Sequence, residues 1–250
     1  MSHIHLPDGV LSLPWVILGY GMTALFLFLA MRKLKKEDIR KKVPYVGVIA
    51  ALMLLTMSVP LGVIPFHLNL SVLTGILAGP ALGFIVIFVV NVLLGFLGHG
   101  GMTVIGLNTL IIGAEIAVGS FLFRFLQKRI NWVVSAGIAT FVALILSTTL
   151  MVAVIVAADI GVDVALLPHH GEGHHEEATH QTHNEEGTEA FAGHRSGRLE
   201  EGVEEIRFLS LTGWNAIGAI ILSGILIETF VSGLVINFFR KVRPDLISPQ

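Results

Sequence analysis

The first five residues, "MSHIH", place two histidines beside the terminal amine. If Met1 is removed, the amine of Ser2 together with the amide nitrogen and imidazole of His3 can bind one metal through fused five- and six-membered rings. Square-planar coordination by nitrogen is typical of Ni²⁺ or Cu²⁺. The fourth nitrogen would come from His67 or His5. A chain that keeps Met1 would supply four nitrogens by itself, because His3 would then be its third residue. The terminus therefore predicts a metal-capture site.

A second concentration of histidine lies between residues 169 and 194, where histidines alternate with glutamates. Imidazole is the commonest side-chain ligand for borderline divalent metals, and carboxylates raise the local cation concentration. The spacing fits no closed structural zinc site, and residues 175–180 lack the zinc-protease pattern, so we expect weak, exchangeable binding. A solvated loop without function is the alternative. The candidate metal-collecting residues are His169, His170, His174, His175, His180 and His183.

Four further residues could do chemistry inside or beside apolar segments. His67, close after Pro65, is either a hydrogen-bonded interface residue or a metal ligand. His99 lies among glycines, which permit a tight turn, and a turn residue is the alternative to a ligand. Glu115 and Glu228 are acids inside apolar segments, where ionisable residues are functional candidates by default. Capping of a polar helix contact is the alternative for Glu228.

The elements that must position these residues are helices in a membrane. The chain has 250 residues, of which 54% are hydrophobic and 14% charged, and its mean hydropathy is +0.80. About 20 apolar helical residues span a bilayer. The absence of cysteine excludes disulfides and thiolate metal sites. Six apolar segments are present: 10–31, 44–64, 68–97, 103–126, 131–159 and 209–239.

The third segment is too long for one ordinary span, since its 30 residues make about 45 Å of helix against a hydrocarbon core of about 30 Å. A split near Gly79-Pro80 gives seven spans and places 13 of the 16 basic residues on the side of the 32–42 cluster. Because cytoplasmic loops are rich in Lys and Arg, we expect the N-terminus outside and the C-terminus inside. All eleven histidines then lie at or near the outer face.

The predicted fold class is therefore an all-α membrane protein of about seven transmembrane helices. Residues 1–159 would form the N-terminal metal-capture segment and a six-span core. Residues 160–208 would form an extracytoplasmic His/Glu-rich loop, and residues 209–250 the final helix and a cytoplasmic tail.

Several stretches carry a resemblance to a known family: "HLPDGVLS" (5–12), His67 ahead of a short split segment, "GHGGMTVIGLNTLIIG" (98–113), and "ILIETF" with "RKVRPDLI" near the end. With these the chain resembles the CbiM/NikM family, the substrate-specific membrane components of energy-coupling-factor importers for cobalt and nickel. The resemblance implies that Ni²⁺ or Co²⁺ is the transported substrate, without an organic cofactor. It implies a multi-pass protein of a bacterial or archaeal cytoplasmic membrane and a link to cobalamin biosynthesis.

The resemblance also implies the ligands and the partners. In that family the metal is held by the terminal amine, the amide and imidazole of a histidine at position two, and a later histidine, which here is His67. Distance from the amine selects His3 with Ser2, whereas alignment of the "HLPDG" box selects His5. The chain has no GxxxxGK[ST] motif. ATPase subunits and a transmembrane coupling subunit would be separate partners. A small accessory membrane subunit could be a further partner.

Two other functions are compatible with the same residues. One is a stand-alone metal carrier driven by an ion gradient, and the other is a membrane sensor that binds metal but moves none. We expect neither an enzyme nor a nucleic-acid-binding protein, and we expect the chain to lie in the lipid bilayer.

Overall fold

The computed structural model describes residues 11–34, 36–58, 67–98, 100–158, 207–208, 211–212 and 214–242. Seven helices lie in these ranges: α1 Leu13–Lys33, α2 Lys36–Ser58, α3 Ser71–Ala78, α4 Pro80–Phe96, α5 Ile105–Leu126, α6 Trp132–Ala157 and α7 Trp214–Val242. Ahead of α7, β1 (Arg207–Phe208) pairs antiparallel with β2 (Leu211–Thr212). The all-α prediction did not include this pair, because two-residue strands are too short to show a periodicity.

Among the described residues, four helical stretches are long and apolar enough to cross a membrane: Leu13–Lys33, Ile105–Leu126, Trp132–Ala157 and Gly218–Val242. Val46–Ser58 and Pro80–Phe96 are shorter apolar helices. Large apolar side chains such as Leu18, Phe121 and Phe230 are exposed, as expected of surfaces that face lipid. The chain is therefore an integral membrane protein. The number of spans and the sides of the termini stay predictions.

Helix α2 differs from its prediction because it begins at Lys36, within the basic cluster that was expected to be a loop. Lys, Arg and Glu are good helix formers, so the charged residues continue the helix that the apolar residues form. Pro44 lies inside α2. Proline lacks the N–H that an interior helical hydrogen bond needs, so this position interrupts the backbone ladder.

The predicted break in the third apolar segment is present at Gly79, which ends α3 and precedes α4. Its backbone angles, φ 88° and ψ 157°, are essentially confined to glycine. Pro80 is the first residue of α4, where a missing N–H costs nothing. A Cβ added to Gly83 would lie 3.5 Å from the Cα of Gly75, whereas a continuous helix separates such residues by about 12 Å. The chain therefore reverses direction here.

Helix α3 is short and enclosed by the other helices. It has eight residues, and all eight are buried. A helix of that length covers about 12 Å, so α3 does not by itself cross a hydrocarbon core of about 30 Å. It packs against α5 so closely that a Cβ on Gly119 would lie 2.6 Å from Val72 Cγ1. Helix α5 also contacts α1, α4 and α6, so it is the central helix of the described residues.

Replacing Gly79 by alanine is expected to destabilise the protein by about 1–3 kcal/mol, because alanine is strained at this φ and ψ. The nearest atom to the new Cβ would be Arg124 Nη2 at 3.6 Å, an ordinary contact, so backbone strain would account for the loss. Thermal unfolding of the purified protein in detergent measures it. Gly21→Ala in α1 is the matched control, since nothing lies within 4 Å of its added Cβ. Equal melting temperatures for the two variants would contradict the prediction.

Candidate metal-capture site

Residues 67–70, which we name the His67 segment, lead without regular secondary structure into α3. His67 is half-buried, and the next three residues, Leu68, Asn69 and Leu70, are buried. The Nδ1 atom of His67 is itself buried. The segment thus presents one imidazole at the N-terminal end of a buried helix.

Leu70 lies in the left-handed region, with φ 56° and ψ 17°, immediately before α3. A branched apolar residue rarely adopts this conformation, and holding it costs on the order of 1–3 kcal/mol. Its carbonyl accepts hydrogen bonds from the backbone N–H and the hydroxyl of Thr74, both at 3.0 Å. The turn that carries His67 into α3 is therefore strained and must be held by its surroundings.

Glu228 of α7 holds the backbone of this turn. Its Oε1 accepts a hydrogen bond from the N–H of Leu70 at 3.1 Å, and its Oε2 accepts one from the N–H of Asn69 at 3.3 Å. The Glu228 side chain is 0% exposed. Carboxylates are favourable beside helix N-termini, where the first N–H groups have no partner within the helix. Glu228 therefore caps the approach to α3, which was the alternative interpretation of this residue.

Glu115 of α5 holds the side chains of the same segment. Its Oε1 accepts a hydrogen bond from Asn69 Nδ2 at 3.1 Å and another from the hydroxyl of Ser71. Asn69 therefore lies between two buried carboxylates, with its side chain towards Glu115 and its backbone towards Glu228. In a hydrocarbon environment each of these polar groups needs such a partner.

Leu11, the first described residue, packs in an apolar cluster that includes residues of α5. The other buried members of this cluster are Val104, Leu107, Ile111, Met151 and Ile155. Ile111 precedes Glu115 by four residues, which is about 6 Å along the helix. Leu11 is nine positions after Ser2, and nine extended residue steps reach about 30 Å. The chain length therefore allows the terminal residues to reach His67.

The other predicted ligands, Ser2, His3 and His5, lie outside the described residues, as does His99. The histidines between 169 and 194 lie outside them too. Their roles stay predictions. Within the described part of the chain, no group of three or more His, Asp or Glu side chains could hold a metal ion. A complete site at His67 would need ligands from residues that the structure does not describe.

The sequence singled out His67, Glu115 and Glu228 as candidates but not Asn69 and Ser71. The sequence signal for these two residues is a weak one: Asn and Ser are favoured just before or at the start of a helix. "FHLNLS" ahead of an apolar run has this character. Nothing local in the sequence indicates that Asn69 and Ser71 contact the two acids.

Residues 5–246 match the family described as the cobalt uptake substrate-specific transmembrane region, CbiM. The chain belongs to the CbiM family. One relative, the cobalt transport protein CbiM of Geobacter sulfurreducens, is 30% identical over 134 residues, which are 50% of this chain and 38% of the relative. Another, from Haemophilus influenzae and described as a metal transport protein, is 27% identical over 125 residues, or 48% of this chain and 58% of the relative. The matched region thus spans less than two thirds of either relative.

Two solved structures have a similar fold. One is described as a transition metal transporter and the other as a truncated transition metal transporter. Each has a TM-score of 0.63 and 20% sequence identity, and each comparison covers 96% of this chain. The comparisons cover 93% and 99% of the two solved chains. At this identity the likeness concerns the fold of this CbiM chain and not its ligand.

Proposed function

We propose that the protein is the metal-capturing membrane component of an ATP-driven importer for Ni²⁺ or Co²⁺. The observation that carries the proposal is the match of residues 5–246 to a family described by cobalt uptake and substrate specificity. The cobalt transport function in the name of the Geobacter relative supports it. ATPase subunits and a coupling subunit are separate chains in this proposal, which places the protein in a cytoplasmic membrane.

The proposed ligands are the amine of Ser2, the amide nitrogen and imidazole of His3, and the imidazole of His67. This set supplies four nitrogens, the arrangement that Ni²⁺ adopts in square-planar coordination. Two observations support it. Leu11 belongs to the apolar cluster that includes Ile111 of α5, and Asn69 of the His67 segment bonds to Glu115, four residues further along the same helix. His5 is the alternative ligand or a neighbour of the bound metal.

Two measurements test the proposal, one on the purified protein and one on cells or vesicles. Titration with Ni²⁺ and Co²⁺, on protein with a verified N-terminus, should show tight binding that is lost in His67→Ala. Uptake by cells or vesicles should require the ATPase and coupling subunits as well as this chain. Uptake by this chain alone would support a gradient-driven carrier instead, and binding without uptake under every condition would support a sensor.

Deletion of residues 169–194 is expected to lower uptake mainly when metal is scarce. In this proposal the His/Glu-rich segment raises the local metal concentration and supplies no ligand to the transported ion, so saturating metal should restore the rate. Uptake measured over a range of free Ni²⁺ tests this. A full-length control with the six candidate histidines changed to asparagine separates metal collection from segment length. An equal loss at saturating metal would assign the segment a direct role in transport.

A further inference from the structure

The backbone next to His67 takes its position from side chains that lie far along the chain. Asn69 bonds to Glu115, 46 residues away, and the N–H of Leu70 bonds to Glu228, 158 residues away. These bonds fix a left-handed turn that Leu70 would not adopt by its own preference. A ligand on this segment therefore depends on α5 and α7 for its position.

The two carboxylates act here as acceptors for protein donors. Glu228 receives two backbone N–H groups, one on each oxygen, and Glu115 receives an amide N–H and a hydroxyl. A metal ion would have to displace these donors in order to reach the same oxygens. The arrangement therefore favours a structural anchor over a second metal site.

We propose that Glu228 is a positioning residue for metal capture: by fixing the backbone of Asn69 and Leu70 it holds the His67 imidazole where the metal binds. This inference rests on the proposed function, with His67 as a metal ligand. Glu115 supports the same segment through the side chains of Asn69 and Ser71. Neither carboxylate contacts the metal.

The hydrogen-bond geometry predicts different results for the two isosteric substitutions. Glutamine at 228 would offer one acceptor where two N–H groups need one each, and would direct its own N–H₂ at a donor. Glutamine at 115 would keep the oxygen that accepts from both Asn69 and Ser71. Loss of a buried acceptor typically changes an equilibrium by about 10-fold or more. We expect Glu228→Gln to weaken Ni²⁺ binding by about 10-fold or more and Glu115→Gln by less than about 3-fold.

The experiment is a Ni²⁺ titration of the purified full chain, read by affinity and by the d–d absorption band. At saturating Ni²⁺ the Glu228→Gln band should match the unsubstituted band, because the ligands are the same, whereas His67→Ala should change it. Ser232→Ala is the matched control, since Ser232 is also buried on α7, one turn beyond Glu228. It should bind as tightly as the unsubstituted protein. Thermal unfolding without metal reports the fold of each variant.

Glu228→Asp keeps two acceptor oxygens on a shorter side chain, so it should retain more Ni²⁺ affinity than Glu228→Gln. It replaces Glu228→Gln in the titration if the glutamine variant does not fold. Three results would overturn the positioning role. The first is that Glu228→Gln binds Ni²⁺ as tightly as Ser232→Ala, and the second is that Glu115→Gln and Glu228→Gln lose equal affinity. The third is a shifted d–d absorption band in Glu228→Gln at saturating Ni²⁺. Unchanged binding in His67→Ala would instead overturn His67 as a ligand, and with it that part of the proposed function.

Discussion

A permanent peptide extension before Met1 is expected to abolish tight Ni²⁺ and Co²⁺ binding while leaving the protein folded in the membrane. The extension converts the terminal amine into an amide, moves the free amine away from His3 and removes the five-membered chelate ring. We expect affinity to fall by at least about 100-fold, or about 2.7 kcal/mol. Titration of the purified protein measures the loss.

The control for this prediction carries the same peptide at the C-terminus. Mass spectrometry should verify both N-termini before titration, since the proposed ligand is the amine of Ser2 after loss of Met1. Thermal unfolding should show similar stability for the two proteins without metal. Undiminished affinity in the N-terminally extended protein would remove the amine from the site.

Loss of the His3 imidazole is expected to weaken binding far more than loss of the His5 imidazole. His3 follows Ser2 directly, so its amide and imidazole close small rings with the metal. His5 can join only through a larger loop, whose closure costs more entropy. His3→Ala should therefore reduce affinity by at least about 10-fold more than His5→Ala, or about 1.4 kcal/mol.

The absorption spectrum distinguishes the same two histidines independently of affinity. A d–d band typical of square-planar Ni²⁺ should disappear in His3→Ala and persist in His5→Ala. The reverse ranking would mean that the "HLPDG" box, which begins at His5, sets the register of the site.

The helical elements could be predicted because their signals are local. Apolar runs located the helices approximately, and Gly79-Pro80 marked the break between α3 and α4 because these two residue types restrict the backbone directly. The start of α2 was misplaced, since a charged stretch such as 36–42 forms helix without any apolar signal. Local propensity thus gave the elements but not all of their ends.

The surroundings of His67 could be predicted only in part. Its type and its place before a split segment were visible, as were Glu115 and Glu228 as unusual acids. Their meeting at Asn69 was not, because the bonds join residues 46 and 159 positions apart. Such pairings depend on how α5 and α7 pack around α3, which no short sequence pattern records.

The dependence of Leu70 on Glu228 has a consequence for how the protein is made. Chains are synthesised from the N-terminus, and the acceptor for the Leu70 N–H arrives with α7, 158 residues later. A buried N–H without a partner costs about 1–3 kcal/mol, so the turn ahead of α3 is not fully held until α7 is in place. The turn that carries His67 is therefore completed at a late step of biogenesis. With His67 as the proposed ligand, growing chains that lack α7 would bind the metal less tightly.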